Sequence, residues 1–236
     1  MDRSDGSTAR RWLQPWIDKG LDLLYPTRSA GCGRPGELWC PACDAGVTRL
    51  TGRLCPQCGL PIDGGCPSCS VMPPRLPIRS HARYRGPLIR ALLQLKYRPN
   101  RRLASLMGGW LATLARRESW SPGLIVPVPL GRKRLNQRGY NQATLIAAGL
   151  ADCLGARLTE DLLARARETR SQVGLGMADR QRNVQGAFLA SPSGLEGQSV
   201  CIVDDMCTTG ATLSACAAAL LDAGVAHVMG LTVARA

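Results

Sequence analysis

The stretch Val200–Thr212, VCIVDDMCTTGAT, decides how this chain reads. Val200-Cys201-Ile202-Val203 has no polar alternation, which suits a strand buried on both faces, as in a parallel sheet. Asp204 and Asp205 then stand at its carboxyl end, where open α/β sheets bind ligands. Thr208, Thr209, Gly210, Ala211 and Thr212 follow as a small, hydroxyl-rich turn. They lead into Leu213–Leu221, a run of helix formers that stops near Gly224. Val225–Ala234 predicts another strand.

A small turn opening a helix leaves backbone N–H groups pointing outward, a ready site for phosphate. The two acids beside it suit the vicinal hydroxyls of a ribose, which are donors. Phosphate on the turn and hydroxyls on the acids together describe a ribose 5-phosphate. The competing reading is an ordinary helix start after an acidic turn.

These residues resemble the phosphoribosyl pyrophosphate (PRPP) motif of type I phosphoribosyltransferases: four apolar residues, two acids, two mostly apolar positions, and a hydroxyl-rich loop with a glycine. Cys207 stands where that family usually has an aliphatic residue.

Working outward, seven of the eleven cysteines fall early: Cys32, Cys40, Cys43, Cys55, Cys58, Cys66 and Cys69. The tandem pairs CPAC, CPQC and CPSC suit zinc, because a C-x-x-C turn presents two thiolates and two such turns close a tetrahedral site. Cys55, Cys58, Cys66 and Cys69 form a complete set. Cys32, Cys40 and Cys43 lack a partner, since Ser29 stands where the fourth cysteine belongs. That site is lost, borrows a ligand, or the pairs combine differently. A redox role is the competing reading of a lone C-x-x-C, but redox motifs do not come in tandem in proline-rich loops. Cys153, Cys201 and Cys216 read as core residues.

The expected organisation is an amphipathic helix within residues 1–26, a double zinc-ribbon-like module over 27–72 and a larger α/β domain over 73–236. Trp12, Leu13, Trp16, Ile17, Leu21 and Leu24 share one helical face in the first segment. From His81 onward the pattern predicts a strand, a turn at Gly86-Pro87 and two helices. GLIVPVPL predicts a second buried strand and GRKRLNQRGYNQ its loop, followed by a helix from about Asn141 to Leu154. RARETRSQVGLGMADRQRNVQGAF reads as a mobile segment. Strands alternating with helices imply a parallel sheet. The aromatic share is only 4%, so aliphatic residues must build the core.

The motifs PVPL…RGYNQ, then Gln172, Arg180, Asn183 and GAF, then DDMCTTGAT, preceded by tandem C-x-x-C pairs, resemble the ComF family (ComFC/GntX type) of competence-associated proteins. That resemblance implies a double zinc ribbon joined to a type I phosphoribosyltransferase-like domain, and a role in DNA uptake or processing alongside other competence proteins. It implies that Asp204 and Asp205 hold the ribose hydroxyls with Mg²⁺, and that Thr208, Thr209, Gly210, Ala211 and Thr212 cradle the 5-phosphate. It places a pyrophosphate loop at Leu130, Gly131, Arg132, Lys133 and Arg134, with Arg138 nearby and Arg180 as a lid. A solvated basic loop is the bland alternative for the Arg132–Arg138 stretch. Arg138, Asn141 and Gln142 read equally as groups that fix this loop by capping the following helix.

The resemblance leaves turnover open. One alternative is a salvage enzyme moving ribose 5-phosphate from PRPP to a base or amine. Another is a zinc-dependent module that binds single-stranded DNA without catalysis. The net charge of +13 favours polyanionic partners. Candidate DNA contacts are Arg28, Arg34, Arg49, Arg53, Arg75, Arg79, Arg83, Arg85, Arg98, Arg101 and Arg102, with Tyr84, Tyr97 and Trp110 as stacking faces. No signal peptide or membrane-length apolar run is visible, so a cytoplasmic location with reduced thiols is expected.

Overall fold

A computed structural model describes residues 26–63, 66, 69, 76–167, 184, 186–191 and 195–236. Residues 1–25 of the expected amphipathic-helix segment and Arg180 lie outside those residues, as do Gln172 and Asn183.

Five strands form one parallel sheet: β1 (Ile78–Arg83), β2 (Leu124–Pro127), β3 (Arg157–Leu158), β6 (Ser199–Cys207) and β7 (His227–Arg235). Their order is β1-β7-β6-β2-β3, and every pairing is parallel. Among the described residues six helices accompany the strands: α1 (Pro41–Ala45), α2 (Pro87–Tyr97), α3 (Arg101–Arg117), α4 (Arg132–Arg138), α5 (Gln142–Leu154) and α6 (Ala211–Asp222).

The central strand β6 feeds two cores in alternation. Cys201 and Val203 join the cluster under α3 and α5, while Val200 and Ile202 join the one under α6. Side chains on a strand point to opposite faces in turn, so an unbroken apolar run marks a strand covered on both sides. At α3 and α5 the helices touch backbone to backbone. A Cβ on Gly108 would meet the Gly149 carbonyl carbon at 2.5 Å, and one on Gly149 would meet Ser105 Cα at 2.6 Å.

The cysteine module covers the β1 edge, whose unpaired groups would otherwise invite foreign strands. Ile78 N–H donates to Gln57 O at 2.6 Å and Arg83 N–H to Thr48 O at 2.8 Å. Its two halves straddle the sheet. Ala30, Leu38, Trp39 and Val47 extend the α3/α5 core, whereas Cys55, Cys58, Leu60 and Ile62 extend the α6 core.

Several sequence expectations need correction. The strand expected to end at Val203 runs on through Asp204 and Asp205 to Cys207, because β7 accompanies it as far as Arg235. The expected loop after β2 contains helix α4, closed by Gly139 in the left-handed region at φ 75°. Only the two ends of the segment read as mobile are strand, Arg165 in β4 (Leu163–Arg165) and Phe188 in β5 (Phe188–Ala190), which pair antiparallel, and residues 168–183 lie outside the described residues. Cys201 and Cys216 are buried as expected, but Cys153 is exposed in the last turn of α5.

Candidate functional site

β2 stops at Pro127, whose partner is Val203, and β6 continues past it. Val128 N–H still donates to Val203 O at 2.9 Å, and Pro129 then has no N–H to carry the ladder further. Asp204 and Asp205 therefore lie on an overhang that β7 pairs and β2 does not. From these two adjacent strands the chain departs to opposite faces of the sheet, into α4 and α5 after β2 and into α6 after β6. Such a divergence opens a crevice at the strand ends.

A cavity of about 800 Å³ occupies that crevice. Asp204, Asp205, Met206 and Cys207 line one wall, joined by Thr208, Gly210, Ala211 and Thr212 at the start of α6. Leu130, Arg134 and Arg138 line the cavity as well. Tyr84 from the end of β1, with Leu92, Leu93, Lys96 and Tyr97 of α2, closes the third side. Tyr97 is 69% exposed at its mouth.

Hydrogen bonds hold the acids from below. Asp205 N–H donates to Asp204 Oδ1 at 2.8 Å. Gln142 Nε2 donates to Asp205 Oδ2 at 3.1 Å, and its Oε1 accepts from Arg138 Nη1 at 2.8 Å. Asn141 caps α5 through Ala143 N–H at 3.1 Å and donates its Nδ2 to Val128 O at 2.9 Å. The capping expected of Asn141 is thus present, while Gln142 anchors the end of α4 to the acid pair. Burial, and then the charge of Asp205, push the Asp204 carboxyl well above the usual carboxylate range.

Gly210 adopts φ 84° at the N-cap of α6 and offers no side-chain cap. Of the other phosphate-turn candidates, Thr209 does not line the cavity; its Oγ1 accepts from Ala211 N–H at 3.4 Å. Of the basic-loop candidates, Leu130, Arg134 and Arg138 line the cavity and Gly131, Arg132 and Lys133 do not. The arrangement gathers anion donors, cations and paired carboxylates around one cavity. The α2 wall was missed in the sequence, because the motif residues lie far from it along the chain.

The cysteines form two clusters of like design. Cys55, Cys58, Cys66 and Cys69 bring their four Sγ atoms within 4.8 Å of one another. Cys55 Sγ lies 3.1 Å from Cys69 Sγ, and Cys58 Sγ lies 3.3 Å from Cys66 Sγ. A tetrahedral zinc with Zn–S of about 2.3 Å has sulfur edges of about 3.8 Å, so the set fits that ion. Cys32, Cys40 and Cys43 converge within the same limit. The second cluster adjoins the cavity wall, since Cys55 and Cys58 share a core cluster with Cys207.

Two expected DNA contacts are corrected. Arg79 is buried, donating to Pro56 O at 3.0 Å and pairing with Glu118 at 2.7 Å. Trp110 is half-buried, with His81 stacked on its ring at 4.7 Å and Trp39 in edge contact at 5.1 Å, so a face it would offer to a base is already occupied. Among the described residues, no helix is long and apolar enough to cross a membrane.

The description "Double zinc ribbon domain" matches residues 20–72. The DNA utilization protein YhgH of Escherichia coli K12 is 35% identical over 199 residues, covering 80% of this chain and 86% of its own. Competence protein ComFC of Bacillus subtilis is 27% identical over 220 residues, covering 86% of each. Among solved structures, the glutamine PRPP amidotransferase of B. subtilis aligns with 60% of this chain and 30% of its own. Its identity is 19% and its TM-score 0.41, too weak a likeness to argue from. With its double zinc ribbon module seated on a five-stranded parallel sheet, this chain belongs to the ComF family.

Proposed function

We propose that the cavity binds PRPP, or a ribose 5-phosphate nucleotide, together with Mg²⁺, and that the protein serves DNA uptake or processing. One observation carries the reading: the Asp204–Asp205 pair, the start of α6 with glycine at its N-cap, Arg134 and Arg138 all line a single cavity. The start of α6 suits the 5-phosphate, whose charge the helix dipole favours. The acids suit the ribose hydroxyls and Mg²⁺, an ion commonly held by one or two carboxylates plus substrate phosphates. Arg134 and Arg138 suit the pyrophosphate, as fixed cations opposite a charged leaving group.

The DNA role rests on the relatives named for competence and DNA utilization. Exposed Arg98, Arg101 and Arg102, beside exposed Tyr97, support it physically. Arginine pairs with phosphate, and a tyrosine face stacks on bases.

The α2 wall favours a second reading, a transferase. Tyr84, Leu93 and Tyr97 offer an apolar, partly aromatic surface in the same cavity, suited to a planar acceptor. Titration calorimetry with PRPP, with and without Mg²⁺, tests the binding. Saturable, Mg²⁺-dependent binding is expected, and no heat with either PRPP or AMP at millimolar concentrations would overturn it. Pyrophosphate release that depends on an added base would establish the transferase.

A further inference from the structure

The two halves of the cysteine module are the same structure displaced by 26 residues, from Ser29 to Cys55. Ser29 N–H donates to Arg34 O as Cys55 N–H donates to Leu60 O, both at 2.8 Å. Gly33 N–H reaches Ser29 O as Gly59 N–H reaches Cys55 O, at 2.7 and 3.0 Å. Both glycines take the left-handed region, at φ 81° and 69°. The bridge Arg28–Pro35 repeats as Leu54–Pro61.

The side chains obey the same repeat. Cys32 Sγ and Cys40 Sγ lie 3.7 Å apart, as Cys58 and Cys66 do at 3.3 Å. Ser29 Oγ lies 3.3 Å from Cys43 Sγ, where Cys55 Sγ lies 3.1 Å from Cys69 Sγ. Ser29 is 2% exposed, and its hydroxyl is turned into the cluster. Backbone and direction are those of a ligand position; only the donor atom has changed.

We propose that the first half is a second, inequivalent zinc site. Cys32, Cys40 and Cys43 bind the ion, and Ser29 Oγ takes the fourth position as a weak, exchangeable oxygen ligand. A hydroxyl is a poorer donor to zinc than a thiolate. Its arm is also shorter, since zinc–oxygen bonds run about 2.0–2.2 Å against about 2.3 Å for sulfur. An ion centred on the three sulfurs therefore stands off Ser29. Three thiolates leave the site with one negative charge fewer than the second half, which further weakens its hold on the cation. One position held by oxygen beside three protein ligands is the layout that admits exchange, whereas four cysteines close a site.

Zinc analysis and chelator competition on the full chain test this. After loading with excess zinc and desalting, close to two ions per chain are expected. A chromophoric chelator should remove one at least tenfold faster than the other. In Ser29→Cys both ions should leave in the slow phase. With cobalt in place of zinc, the sulfur-to-metal charge-transfer absorption of the fast ion should be about three quarters of that of the slow one. One zinc per chain in excess metal would overturn the proposal. So would release of both ions in a single phase, a fast phase that persists in Ser29→Cys, or equal cobalt absorption at the two sites.

Discussion

Gln142 donates its side-chain amide to Asp205 Oδ2 at 3.1 Å while accepting from Arg138 at 2.8 Å. One buried side chain thus links α4, the first turn of α5 and the acid pair on β6. The link sets the spacing between a cation and an anion that line the same cavity.

Replacing Asp204 and Asp205 together by Asn should weaken PRPP binding at least tenfold, because a charge-assisted hydrogen bond contributes about 1.5–3 kcal/mol. Gln142→Ala should weaken it about tenfold by freeing Asp205, with zinc content unchanged. Calorimetry showing wild-type affinity in the double variant would refute the site assignment.

Asp204 titrates in a direction that makes the apo protein sensitive to pH. Its carboxyl is raised above the unfolded value of 3.8, chiefly by burial. The folded state therefore holds a proton that the unfolded chain gives up, so this contribution is complete below pH 3.8 and is lost as pH rises through the folded pKa. Mg²⁺ binds the ionised form. Mg²⁺ affinity should thus rise with pH, and Asp204→Asn should flatten the profile. A profile with the same slope in both proteins counts against the assignment.

His81 works in the opposite sense. Burial, then the charge of Arg49, lower it from 6.5 to about 4, while its ring lies stacked on Trp110. Its neutral form is the folded one, so stability is complete above pH 6.5 and falls as pH drops toward 4. The loss approaches about 3 kcal/mol, at 1.36 kcal/mol per pKa unit. His81→Phe keeps an aromatic ring and removes the titration. Urea melts should show wild type losing stability relative to His81→Phe between pH 6.5 and 4, and parallel curves would exclude this role.

Zinc removal from the second half should reach the cavity. Cys55 and Cys58 pack in the same core as Ile78 and Cys207, and Arg79 joins Pro56 to Glu118. Small zinc sites carry their own folding energy. Cys55→Ser with Cys66→Ser should lose one zinc per chain, lower the melting temperature and abolish PRPP binding. Intact metal content in that variant would mean the ligands are paired wrongly here.

Single-stranded DNA should bind without sequence preference and with marked salt dependence. Three or four phosphate contacts give a log–log slope of roughly −2 to −3, at about −0.7 per contact. Reversing Arg98, Arg101 and Arg102 to Glu should weaken binding to every sequence alike. Anisotropy of a labelled oligonucleotide across a salt series measures both, and binding indifferent to salt would dismiss these contacts.

The sequence by itself determined the parallel sheet, the acid pair with its turn, and the two cysteine clusters. Each is a local pattern: an apolar run, adjacent acids before a glycine turn, and fixed cysteine spacing. Asn141 and Gln142 were legible for a related reason, since a helix cap is a short-range relation. Tertiary structure alone decided what meets across the chain. Arg79 looked like one more surface cation until Glu118, 39 positions later, drew it into the interior. Trp110 offered a stacking face until His81 stacked on it and Trp39 met it edge-on. Helix α2, with Lys96 and Tyr97, became a wall of the cavity because β1 and β6 place their carboxyl ends on the same edge of one parallel sheet. Ser29 looked like a missing ligand in sequence, and the repeated backbone set its hydroxyl at the ligand position. Hydrogen bonds and packing between distant segments have no periodicity to read, so these meetings emerge only when the chain folds.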